Sequence, residues 1–209
     1  MTTATVPTRR KTRLPAVVAI LALLAAGGFG IYWAFFQTYH LATVSTAVLY
    51  RDGNHSVREL RHAVQQVKPR TVVSLVDPKE ASDPAKPRFK EEEQYLAEQN
   101  IKLVRIPVPL GGWPDSQDVQ AFLKTVNDPA NQPVLVHCAQ GVRRTGMFVA
   151  AYQLSVQKFD KEQAKAAIQS FGHGDKTLGD IRKFIDAYDP QNQELSADLK
   201  EVKPAGAAE

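Results

Sequence analysis

The chain has 209 residues, with 26 Lys and Arg against 22 Asp and Glu, a formal net charge of +4 and one cysteine. The first 13 residues hold four of the basic residues and no acidic one, and residues 14 to 36 hold no charge, so the rest of the chain carries 22 of each sign. A neutral body excludes the basic footprint of a nucleic-acid binder, and a single cysteine excludes an internal disulfide framework.

The first predicted element is Leu14 to Phe36, 23 residues without a charge. At about 1.5 Å per residue it is long enough to cross a hydrocarbon core of about 30 Å. The leader, residues 1 to 13, carries Arg9, Arg10, Lys11 and Arg13. By the positive-inside rule it stays in the cytoplasm, which makes the chain a single-pass membrane protein with its body on the extracytoplasmic, periplasmic side. Tyr32, Trp33, Phe35 and Phe36 fall at the far interface as an aromatic belt. Cleavage as a signal peptide near Gly28 and Gly30, releasing a secreted protein, is the alternative.

Residues 37 to 188 read as one domain. Ala42 to Tyr50 reads as a strand, and Ser56 to Val67 as a helix opened by a capping box of Ser56 with Glu59. Thr71 to Val76 is a short β-branched strand, Asp83 to Arg88 a proline-containing loop, Phe89 to Gln99 an acidic helix and Ile101 to Val108 a strand. Ser116 to Val126 is a helix, Pro133 to Val136 a buried strand and Met147 to Val156 a helix. Two more helices follow, from Asp160 to about Phe171 and from Thr177 to Tyr188. Residues 189 to 209, with Pro190, Pro204 and several alanines, read as a flexible tail. Strands alternating with helices predict an α/β fold: a mainly parallel central sheet flanked by helices, with ligand at the carboxyl ends of the strands, preceded by one transmembrane helix. Arg51 reads as part of a solvent-exposed turn, with a place at the ligand site as the alternative. His173 reads as a helix C-terminus, and His40, His55 and His62 have no common metal-ligand spacing.

The chemistry concentrates in His137-Cys138-Ala139-Gln140-Gly141-Val142-Arg143-Arg144-Thr145-Gly146. This run joins the Pro133 strand to the Met147 helix. Between a strand end and a helix start, the backbone N–H groups of residues 139 to 144 can converge on one anion, and the helix dipole favours negative charge there. Gly141 supplies conformational freedom, Gly146 allows close helix packing, and Arg144 offers a planar fork to two phosphate oxygens. The same field favours the Cys138 thiolate, and the Thr145 hydroxyl lies where it can hydrogen-bond the sulfur.

This loop resembles the His-Cys-x5-Arg-Ser/Thr-Gly signature of the cysteine-dependent protein tyrosine phosphatase superfamily, and the short domain looks most like its compact, dual-specificity-like branch. The resemblance implies Cys138 as nucleophile, Arg144 as phosphate ligand, residues 139 to 143 as the cradle, Thr145 as the hydroxyl partner, and His137 with Gly146 in support. It implies no metal and no cofactor. A second register, Cys138 to Arg143, resembles the Cys-x-x-Gly-x-Arg loop of rhodanese-type sulfurtransferases, but the following Arg-Thr-Gly fits only the register that ends at Arg144. The mechanism needs a general acid. Trp113-Pro114-Asp115 resembles the Trp-Pro-Asp acid loop of tyrosine phosphatases, with Gly111 and Gly112 as hinge. Asp115 also reads as a helix N-cap, and Asp118 is the other acid candidate. The expected activity is hydrolysis of phosphate monoesters on phosphorylated protein through a phosphocysteine. Inositol phosphate or phosphoinositide hydrolysis is the alternative, since Arg143 adds a second charge to the loop. A catalytically silent phosphate-binding module is a further one.

Overall fold

The structure, a computed structural model, describes residues 14–36 and 38–201. The chain divides into two compact units, Met1–Gln37 and Thr38–Glu209. The first contains helix α1 (Leu14–Phe36), and the leader, residues 1–13, lies outside the described residues. Side-chain surroundings in α1 are described from Val17 to Tyr32, and its large apolar residues there are exposed. Among the described residues no helix is long and apolar enough to cross a membrane. The transmembrane helix expected over residues 14–36 is therefore not part of the established fold.

The second unit opens with β1 (Ala42–Ser45) and β2 (Leu49–Gly53), paired antiparallel. A single strand was expected over Ala42 to Tyr50. The chain instead reverses after Ser45, with Ala47 at φ 61° and the Val48 N–H bonded to the Ser45 carbonyl. Helix α2 (Val57–Val67) follows, capped by the Ser56 hydroxyl on the Glu59 N–H. Then come β3 (Thr71–Ser74), the one-turn α3 (Pro78–Ala81), α4 (Arg88–Glu98), β4 (Lys102–Arg105) and α5 (Ser116–Asn127). Strand β5 (Val134–Cys138) leads into α6 (Arg143–Ser155), followed by α7 (Lys161–Ala166) and α8 (Asp175–Ala187). Strands β6 (Tyr188–Asp189) and β7 (Glu194–Leu195) form a small hairpin before α9 (Asp198–Glu201).

The main sheet has the order β1-β2-β5-β3-β4, parallel except at the β1 edge. Every residue of β5 is buried, as a central parallel strand covered on both faces requires. Alternate residues serve opposite faces. Val72 and Leu135 pack under α2 and α4 with Leu60, Ala63 and Leu96, whereas Val73, Val134 and Val136 pack with Phe122, Phe148, Ile181 and Phe184 of α5, α6 and α8.

Two further expectations change. The helix expected from Asp160 to Phe171 ends at Ala166, and His173 lies in the loop before α8 instead of at a helix end. The tail expected to be loose from residue 189 is tied to the body over its described part. Leu199 of α9 is buried in the core, and the Leu195 N–H bonds the Ser116 hydroxyl. Residues 202–209 lie outside the described residues.

Candidate active site

Strand β5 delivers Cys138 at its carboxyl end, and α6 starts five residues on, so residues 139 to 142 form a tight loop over the helix N-terminus. The N-cap of α6, Val142, provides no side-chain hydrogen bond. The open N–H groups of that first turn suit an anion. Gly141 has φ +71°, and a Cβ there would lie 2.3 Å from the Asp52 carbonyl oxygen, so only glycine allows the loop to sit against β2. Its N–H donates to the Cys138 sulfur at 3.2 Å.

Burial alone would push the Cys138 thiol up. The Arg144 guanidinium, the Thr145 hydroxyl and amide, and the Gly141 N–H together outweigh burial and hold it below its ordinary value. Among the described residues the Thr145 hydroxyl makes no other hydrogen bond. Arg144 is itself held as a fork: Nη1 and Nη2 meet the two oxygens of Glu80 at 2.5 and 3.2 Å, and Nη1 also donates to the carbonyls of Leu75 and Val108. Asp77 caps the short helix that carries Glu80.

His137 is wholly buried, with Nε2 2.7 Å from Glu92 Oε1. Glu92 Oε2 accepts from the Asn54 amide. Burial would hold the imidazole neutral, but Glu92, aided by Asp52 and the Cys138 thiolate, raises its pKa. Asp52 is also buried, its carboxylate oxygens have no hydrogen-bond partner among the described residues, and desolvation raises its pKa well above the ordinary value. Gly146 lies where a Cβ would come within 2.6 Å of Ile181 Cδ1, which is the close α6–α8 approach its position in the sequence implies.

Arg143 lines the cavity over the loop and is also held by partners from two other segments. Its Nε meets Asp180 Oδ2 at 2.7 Å, its Nη1 donates to the Gly112 carbonyl at 2.7 Å, and its guanidinium lies 5.0 Å from the Trp113 ring centre. It joins the Cys138 loop to the Gly111-Gly112-Trp113 loop, and its charge is matched by the Asp180 carboxylate. Asp115 caps α5 in a full capping box: its Oδ1 accepts from the Asp118 N–H at 2.8 Å, and Asp118 Oδ2 accepts from the Asp115 N–H at 2.9 Å. Burial raises the Asp118 pKa.

A cavity of about 440 Å³ opens over the loop, lined by Cys138, Ala139, Gln140, Arg143 and Arg144 together with Tyr39, His55, Glu80, Arg88 and Leu110. Neither Asp115 nor Asp118 lines it. Tyr39 and His40 reach the site from the segment before β1: the Tyr39 carbonyl accepts from the Gly53 N–H, and His40 Nδ1 lies 2.7 Å from the Gln140 carbonyl. The sequence reading missed Glu80, Glu92 and Asp180, which hold Arg144, His137 and Arg143. Arg51, read as solvent-exposed, is 2% exposed. One signal was available for Glu92: it falls at helical spacing between Phe89 and Leu96, on the apolar stripe of its helix.

A cysteine at the base of an N–H cradle, with a forked arginine six residues on and a parallel sheet behind it, is the arrangement of the protein tyrosine phosphatase superfamily. Residues 41–184 match the family model described as DSP-PTPase phosphatase fused to NAD+ kinase, and the chain belongs to that family. Dual specificity protein phosphatase TpbA of Pseudomonas aeruginosa is 24% identical over 158 residues, covering 75% of this chain and 66% of the relative. The chain thus spans just under two thirds of that curated relative's length. The crystal structure of P. aeruginosa TpbA matches with 25% identity and a TM-score of 0.57, over 73% of this chain and 87% of that one. The core catalytic domain of the PP-IP phosphatase SIW14 of S. cerevisiae, in complex with citrate, shares the fold with a TM-score of 0.62 at 22% identity, over 75% and 89% of the two chains.

Proposed function

We propose that this chain hydrolyses phosphate monoesters on phosphorylated protein side chains through a phosphocysteine at Cys138. The observation that carries the reading is the depressed thiol, held against the Gly141 N–H, beneath a cavity that also exposes Arg144. The thiolate attacks phosphorus as the bond to the leaving oxygen breaks, and the open N–H groups of the loop and Arg144 hold the equatorial oxygens. Water then attacks the phosphocysteine, releases phosphate and restores the thiolate. An acid role for Asp115 requires it to leave its capping bond and turn into the cavity. Phosphotyrosine and phosphothreonine peptides are the substrates to compare, with Cys138→Ser as control. A burst of product with one phosphate retained on Cys138 supports the reading; no transfer to Cys138 and no turnover sinks it.

The inositol phosphate reading drew on Arg143 as a second charge for the substrate, and that charge is engaged by Asp180. The sulfurtransferase register also ends on Arg143, whereas the arginine that lowers the thiol is Arg144. We further propose that Leu14–Phe36 anchors the domain to a membrane, with the basic leader on the cytoplasmic side. The unbroken helix and the exposed Val17, Leu21, Leu24 and Ile31 support an anchor. Retention of the full chain in alkaline-washed membranes tests it, and recovery in the soluble fraction without cleavage removes it.

A further inference from the structure

Three cations next to the sulfur are matched by carboxylates: Arg144 by Glu80, Arg143 by Asp180 and His137 by Glu92. Arg51 is the exception. It is 2% exposed, and among the described residues no carboxylate pairs with it. Its Nη2 donates to the Gly141 carbonyl at 2.6 Å and reaches toward the Val142 carbonyl at 3.5 Å, while its Nε is buried with no partner. The Phe171 ring lies 5.1 Å from the guanidinium carbon. Desolvation lowers its pKa to about 10, against the attraction of the Cys138 thiolate. A buried, partly unsatisfied cation is costly unless something in the site uses its charge.

The direction of the hydrogen bond to Gly141 matters. In a planar trans peptide the C=O and the following N–H point opposite ways. A carbonyl of Gly141 drawn back to Arg51 therefore turns the Val142 N–H to the other side of the loop, while the Val142 carbonyl is turned by the Gly146 N–H of α6 at 2.7 Å. Strand pairing fixes where Arg51 stands, since it lies opposite Val136 while Gly53 lies opposite Cys138. The β2 strand thus supports the loop from behind.

We propose that Arg51 is the positioning residue of the phosphate loop: it draws the Gly141 carbonyl away from the cavity, fixes the Val142 N–H for phosphate, and supplies the unmatched positive charge behind the Cys138 thiolate. The assignment rests on Cys138 as the nucleophile, but alkylation of the sulfur reads it without any turnover. The test measures the pH dependence of iodoacetamide inactivation, together with inhibition by orthovanadate as a phosphate mimic, on the full chain and on Arg51→Met and Arg51→Lys. In Arg51→Met the alkylation midpoint moves up by about one pH unit, a tenfold slowing on the acid side, and orthovanadate inhibition weakens. Arg51→Lys keeps the midpoint, because the charge remains, and still loses orthovanadate affinity, because the lysine nitrogen ends one bond short of the place Nη2 holds at the Gly141 carbonyl. A folded Arg51→Met with the parent's alkylation profile and orthovanadate inhibition overturns the proposal. Should that variant not fold, orthovanadate inhibition unchanged in Arg51→Lys overturns it instead. Phosphate trapping on wild-type Cys138 is a separate measurement, so the failure of one reading is distinguishable from the failure of the other.

Discussion

Glu92 sets the charge of His137. Burial disfavours the imidazolium, yet the carboxylate 2.7 Å away raises the imidazole pKa above its ordinary value. A group whose pKa rises on folding stabilises the fold fully below its unfolded value, about 6.5, and that contribution is lost as pH rises through the folded value. Glu92→Gln is therefore expected to lower stability most on the acid side, by roughly 3 kcal/mol near pH 5.5, with the gap to wild type narrowing toward pH 8.5. Urea unfolding at the two pH values measures it, and a gap that does not change with pH would put the role of Glu92 in packing instead. Cys138, the forked Arg144 and Thr145 were legible because one short loop must hold them at fixed spacing. Their carboxylate partners were not, because Glu80, Glu92 and Asp180 come from three separate helices, and Glu92 sits inside the acidic run Glu91-Glu92-Glu93 that resembles a solvated face.

At the scale of elements, two helices carry testable consequences. Asp115 caps α5, so Asp115→Ala is expected to cost about 1 kcal/mol of stability, while Asp115→Asn keeps the cap and the melting temperature. Turnover of an ester with a poor leaving group separates the two roles of this residue. Asp115→Asn at the wild-type rate leaves capping as its whole job, and a large fall in kcat gives it the acid role. Helix α6 packs on α8 through Gly146, and Gly146→Ala is expected to cost roughly 1 to 3 kcal/mol by pressing on Ile181. Removing the far methyl with Ile181→Val in the same chain should recover part of that loss, as a thermal melt of single and double variants would reveal. The capping residues Ser56, Asp115 and Asp160 mark helix starts correctly in the sequence. The reversal at Thr46-Ala47 left no such mark, since it contains no Gly, Pro, Asn or Asp.

For the whole molecule, the alternating strands and helices made the parallel sheet legible, and the segment after residue 189 did not reveal its attachment. Its polar, proline-containing composition hides the buried side chain of Leu199. Leu199→Ala is expected to destabilise the domain by about 2 kcal/mol, where a loose tail would give no change in the denaturation midpoint. Cys138 stands at the end of β5, the strand in the middle of the sheet, whose residues are all buried. Backbone in such a position exchanges its amide hydrogens with solvent only through global opening. The slowest-exchanging amides and the most reactive sulfur thus share one strand, so a small alkylating agent reaches Cys138 through the cavity in the native state, whereas a reagent too large for that opening labels it no faster than the domain unfolds.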